Sequence, residues 1–103
     1  MRMMMTISLP TEKCNEAVRS GKLVTAIQGM LESMKPEAAY FTADAAGRRS
    51  GIVIFEMTSS SQMPKLSEPW FLGFNAEVTF QPVMNPQDLM AARPDLDAAA
   101  KAH

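Results

Sequence analysis

Hydrophobic and polar residues alternate from Arg2 to Leu9, with Met3, Met5, Ile7 and Leu9 on one side and Arg2, Met4, Thr6 and Ser8 on the other. That two-residue period predicts a strand with one apolar face and one mixed face. Pro10 stops the strand. Thr11 is placed to cap a short helical turn through Cys14, Ala17 and Val18, which Ser20 and Gly21 interrupt. A longer helix follows, because Leu23, Ile27, Met30, Leu31 and Met34 form one stripe of a 3.6-residue period while Lys22, Gln28, Glu32 and Lys35 face water. Pro36 ends it.

Ala38 to Ala43 reads as a second strand, and Asp44 to Arg49 supplies the Asp and Gly of a hairpin loop. Gly51 to Met57 carries the β-branched and aromatic run Ile52, Val53, Ile54, Phe55, before Thr58 to Ser61 offer N-caps to the next element. Between Gln62 and Phe74, Pro64 and Pro69 predict a short helix, a break near Ser67-Glu68-Pro69 and a further turn ending at Gly73. Leu66, Trp70 and Phe71 or Phe74 form its buried side. Ala76 to Val83 is the last strand, and Asn85-Pro86-Gln87-Asp88 caps a final helix through Leu89 and Met90. Residues 1–94 make one domain; residues 95–103 form an Ala-rich tail, helix-prone but nearly coreless, which frays unless a partner holds it.

The resulting order, β-α-β-β-α-β plus a C-terminal helix, predicts a ferredoxin-like α+β sandwich. Its four-stranded antiparallel sheet carries the helices on one face. The covered face takes Met3, Met5, Ile7, Val53, Phe55, Met57, Val78 and Phe80. The opposite face takes Met4, Thr6, Ile52, Ile54, Glu56, Glu77, Thr79 and Gln81, joined by Tyr40 and Thr42. Left bare, Met4, Tyr40, Ile52 and Ile54 make an apolar patch of the kind that marks an interface or a ligand groove. Two copies laid sheet to sheet would cover it, so the expected partner is a second copy of the chain. A pocket would then be lined by Met4, Thr6, Thr42, Ile52, Ile54, Thr79 and Gln81.

Composition narrows the function classes. Ten Lys and Arg stand against eleven Asp and Glu, for a formal net charge of -1, so there is no basic field to hold a nucleic-acid backbone. The apolar start is far short of a signal peptide or a membrane-spanning helix. A lone cysteine, Cys14, can make no internal disulfide, and a small reduced domain is expected in the cytoplasm. Metal clusters, Ser-His-Asp triads and dinucleotide fingerprints are missing from the sequence, and no cofactor is expected. Ten methionines could in principle bind soft Cu(I), but alternation sends Met3 and Met5 to one face and Met4 to the other. Adaptable packing accounts for them better.

Two residues stand out as candidates for chemistry. Glu56 lies in an otherwise apolar strand, near Ile54, Tyr40 and Met4; a carboxylate drawn partly out of water can serve as a general base. The plain alternative is a strand-end charge facing solvent or pairing with Arg2, Arg48 or Arg49. Tyr40 could donate its hydroxyl to a ligand carbonyl or developing oxyanion, or simply bury its ring at an interface. Trp70 and Cys14 read as core, and Gly47-Arg48-Arg49-Ser50-Gly51 as a hairpin turn rather than a phosphate loop.

The element order resembles the dimeric α+β barrel superfamily, which includes cofactor-free monooxygenases and muconolactone isomerases. More closely, Lys35-Pro36-Glu37-Ala38-Ala39-Tyr40-Phe41, Ser61-Gln62-Met63-Pro64, Glu68-Pro69-Trp70-Phe71 and Pro82-Val83-Met84-Asn85 resemble a family of small bacterial proteins of uncharacterised function. Some of these carry the name pantothenate synthetase. That enzyme is much longer and has His-rich nucleotide motifs, whereas the single histidine here is His103 at the chain end. The superfamily resemblance implies a small-molecule binder or cofactor-free enzyme, monooxygenase- or isomerase-like, with its pocket on the open sheet face of a homodimer. The alternative is a non-catalytic dimerisation or protein-interaction module.

Overall fold

A computed structural model describes residues 1–103. Four strands, β1 (Arg2–Ser8), β2 (Ala38–Ala43), β3 (Arg49–Glu56) and β4 (Glu77–Pro82), form one sheet in the order β2-β3-β1-β4, with every neighbouring pair antiparallel. The helices are α1 (Thr11–Ser20), α2 (Lys22–Met34), α3 (Met63–Phe74), α4 (Pro86–Ala91) and α5 (Arg93–Ala102). Crossovers through α1 and α2 and then through α3 complete the ferredoxin-like α+β topology expected from the element order.

The register puts the apolar alternation to use. Met5 faces Val53 on one side and Phe80 on the other; Met3 faces Phe55; Ile7 faces Gly51 and Val78. Under α1 and α3 these side chains join Leu9, Cys14, Ala17, Leu23, Met57, Trp70, Phe74 and Ala76 in one core, in which Met5, Val53 and Cys14 are fully enclosed. Burying a large apolar side chain contributes about 1.5–3 kcal/mol, so the covered face of the sheet holds most of the stabilisation. Val78 and Phe80, on the edge strand β4, are only half-buried.

Several local expectations are corrected. The first helix is not a short turn but ten residues long, and Thr11 is its first residue rather than its cap; Pro10 holds the cap position, and its carbonyl accepts from the Cys14 N–H at 3.0 Å. Gly21, at φ 77°, separates α1 from α2, a left-handed step that costs glycine nothing. Ser59 caps the 3-10 turn Ser60–Gln62 that leads into α3.

The break expected at Ser67-Glu68-Pro69 is absent. α3 runs unbroken through Pro69 and ends not at Gly73 but at Phe74, capped by Asn75 in the left-handed conformation at φ 53°. Pro64 lies in the first turn, where its missing N–H is harmless, whereas Pro69 removes one bond from the helix interior. Trp70 and Phe74, four residues apart with ring centroids 5.4 Å apart, anchor the helix just beyond that loss.

The last segment is helical, as its helix-prone residues suggest. Asn85 and Asp88 close a capping box around α4, a slight irregularity at Ala92 precedes Pro94, and α5 continues to Ala102. The main packing partner of α5 is α4. The chain is therefore elongated, 58 × 28 × 20 Å. No helix is long and apolar enough to cross a membrane.

Candidate functional site: an apolar cavity under α2

α2 follows α1 immediately and packs mainly against it. Of its inner face only Leu23 is buried, while Ile27 and Met30 are half-buried against the core. The helices cover β1 and β3 but leave the outer strand β2 uncovered, so Phe41, on the helix side of the sheet, is 54% exposed. The space between is a cavity of about 360 Å³.

Leu23, Ile27 and Met30 form its roof, Ile7 and Leu9 with Trp70 its back, and Phe41 and Thr42 its outer wall. Arg49, Ser50 and Gly51 make the floor. A Cβ built on Gly51 would meet the Phe41 ring at 3.4 Å and nothing else closer. Glycine at this point lets the ring lie flat over the neighbouring strand and leaves the floor free of side chain. A second cleft of about 270 Å³ opens on the other flank of α2, against Leu66, Pro69 and Phe74 of α3, and Met30 and Trp70 border both.

Size and lining decide what the cavity under α2 can do. Ligand sites commonly span about 300–1,000 Å³ and are mostly apolar with a few polar groups, and this cavity fits that description. Its polar residues are Thr42, Arg49 and Ser50, of which Thr42 and Ser50 alternate with Phe41 and Gly51 and so turn their side chains to the open face; no lining residue carries a carboxylate, imidazole or thiol. The lining can therefore enclose and orient a small apolar molecule, and it brings no general acid–base group to it.

The residues singled out from sequence lie elsewhere. Thr42 borders the cavity; Met4, Thr6, Ile52, Ile54, Thr79 and Gln81 do not, and instead share the open face, where register pairs Met4 with Ile54 and Gln81, and Thr6 with Ile52 and Thr79. Tyr40, opposite Ile52, is 64% exposed on that same face. Glu56 is exposed at the end of β3 and forms an ion pair with the Met1 ammonium group, opposite Arg2 in register. Tyr40 and Glu56 share a face but not a location, since Glu56 lies four residues beyond Ile52, about 13 Å at the strand rise. One small reacting group could not touch both.

Charges gather at the two ends of the open face. At one end the Arg2 guanidinium bridges Glu37, at 3.1 Å, and Asp88. The hydrogen bond to Glu37, with the surrounding carboxylates, holds its pKa above the ordinary arginine value. At the other end Arg48 donates to Asp44 at 3.1 Å and to Glu77 at 3.3 Å. These partners, Glu77 first, likewise raise its pKa. Both arginines are thus engaged within the chain. No three His, Cys, Asp or Glu side chains converge as a metal-holding group.

Sequence reasoning missed the cavity itself. Its one readable signal is Gly51 in a run of large strand residues, which in a strand marks a close approach or an unfilled place.

No curated protein and no solved structure matches the chain. A family described as a domain of unknown function, DUF3303, matches residues 1–97, and the chain belongs to that family.

Proposed function

We propose that the protein binds a small apolar molecule in the cavity between α2 and the β2–β3 edge of the sheet. The observation that carries this reading is the cavity of about 360 Å³ with its nearly all-apolar lining. An apolar ligand seated there would make packing contacts along the α2 roof. Gly51 supports the reading, because any larger residue there would occupy the floor. Arg49, which shares the side of Gly51 by alternation, supplies a polar group at the margin for orienting a polar end of the ligand. With Glu56 and Tyr40 outside the cavity, the reading is binding rather than turnover.

A thermal-shift screen of small aliphatic and aromatic compounds tests it, with Gly51→Val as the control. Compounds that raise the Tm of the wild type and leave that of Gly51→Val unchanged support the proposal. A screen in which the two proteins respond alike counts against it.

A second reading, self-association through the open face, is favoured by Met4, Ile52 and Ile54 lying side by side with the exposed Tyr40 ring. An apolar centre ringed by charged clusters is the usual plan of a protein interface.

A further inference from the structure

Two apolar surfaces of this chain lack a partner, and the chain itself does not bring them together. One is the centre of the open sheet face, Met4, Tyr40, Ile52 and Ile54, bracketed by the ion-paired arginines Arg2 and Arg48. The other is the C-terminal arm, where Leu89 of α4 and Leu96 of α5, seven residues apart, are 49% and 56% exposed.

We propose that the arm of each molecule, Met84 to Ala102, lies across the open sheet face of a second copy of the chain, in a reciprocal exchange. The proposal rests on the self-association reading of the open face and is independent of the cavity.

Three observations identify a second copy as the occupant. First, the chain is extended in a way a self-sufficient domain is not: its radius of gyration is 16.9 Å, where a compact chain of this length has about 13 Å. Second, the arm departs on the side of the open face. Arg2 shares that face with Met4 by alternation, and its guanidinium holds Asp88 at the start of α4, so the root of the arm is tied there while α5 makes no extensive contact with its own sheet. Third, the dimensions agree. The helical residues 86–102 span about 25 Å at the α-helical rise, enough to cross the roughly 15 Å between the outer strands of a four-stranded sheet. The family match extends to residue 97 and so includes both leucines, which makes the arm part of the family's domain rather than an appendage.

Geometry also explains why the exchange is between molecules. An arm that leaves its own sheet pointing outward needs a sharp turn to fold back, and the only irregularity in its path is the step at Ala92, whose N–H still bonds the Leu89 carbonyl at 3.1 Å. A copy related by a two-fold axis places the same open face in the arm's path without any turn, and an isologous contact of this kind satisfies both arms at once.

Light scattering on the full-length protein, compared with Leu89→Asp/Leu96→Asp and with Ile52→Arg, tests the proposal, together with amide exchange of α5. The expected wild-type mass is twice 11.3 kDa, each variant halves it, and the α5 amides lose protection in Ile52→Arg, whose arm is intact. A wild-type monomer would overturn both the exchange and the self-association reading. A dimer that survives the arm substitutions, or α5 amides equally unprotected in wild type and Ile52→Arg, would overturn the exchange and leave self-association through the sheet standing.

Discussion

The ring of Phe41 lies 3.4 Å from the point where a Cβ on Gly51 would stand, on the neighbouring strand and on the helix side of the sheet. Because Phe41 is half in solvent, its ring can swing outward when that point is filled, so Gly51→Val is expected to fold. Valine also suits a strand better than glycine, and the unfolding midpoint in urea should be unchanged or higher. The substitution fills the floor of the cavity. A marked loss of stability, measured by urea titration, would mean the floor has no spare room.

Trp70 is 4% exposed and packs against Phe74 while bordering both clefts beside α2. Its truncation to alanine removes the largest single anchor of α3. Trp70→Ala should cost about 3–5 kcal/mol in equilibrium unfolding. A cost below about 1 kcal/mol would show that α3 is held chiefly by other contacts.

Pro69 lies in the interior of α3, where it denies the Lys65 carbonyl its helical partner. Pro69→Ala restores that bond and improves helix propensity, against a smaller gain in the flexibility of the unfolded chain. The expected net effect is a stabilisation of about 1–2 kcal/mol, read from the denaturation midpoint at constant m-value. A destabilised variant would mean that the proline ring, which borders the cleft between α2 and α3, contributes packing that alanine cannot replace.

Asp44 closes the β2–β3 hairpin by accepting from the backbone N–H groups of Ala46 and Arg48, each at 2.9 Å. The Arg48 N–H is the main reason its carboxyl titrates below the usual range; the Arg48 guanidinium, Ser8 and Ala46 act in the same direction, and partial desolvation opposes them. A depressed folded-state pKa contributes stability that is present above the unfolded carboxyl value, near about pH 4, and is lost as pH falls through the folded value. Asp44→Ala should therefore be less stable than wild type at neutral pH, and the difference should shrink as the solution is acidified below about pH 4. A difference that stays constant with pH would assign the role of Asp44 to shape rather than charge.

Much of this architecture is legible in the sequence because it depends on local periods. Alternation in β1 sorts Met3, Met5 and Ile7 from Met4 and Thr6, and the structure buries the first set and pairs the second across the open face. Pro69 misleads because proline reports a local cost, while the decision to continue the helix is made by tertiary burial of Trp70 and Phe74. The C-terminal arm is legible as helix-forming residues, but the contact that ties its root to the sheet joins Arg2 and Asp88, 86 positions apart. The cavity is the least legible feature. It arises from the distance between α2 and β2, a spacing fixed by how α2 follows α1 at Gly21, and no single stretch of sequence encodes it.

Trp70 is the only tryptophan, and it lines the cavity, so it is a built-in reporter of occupancy. The most direct test is titration with anilinonaphthalene sulfonate, following energy transfer from Trp70 to the probe in wild type and in Gly51→Val. The account predicts saturable transfer at one probe per chain in the wild type and its loss in Gly51→Val. Equal transfer in the two proteins, or no saturable transfer in either, would contradict the claim that the space under α2 is a binding site.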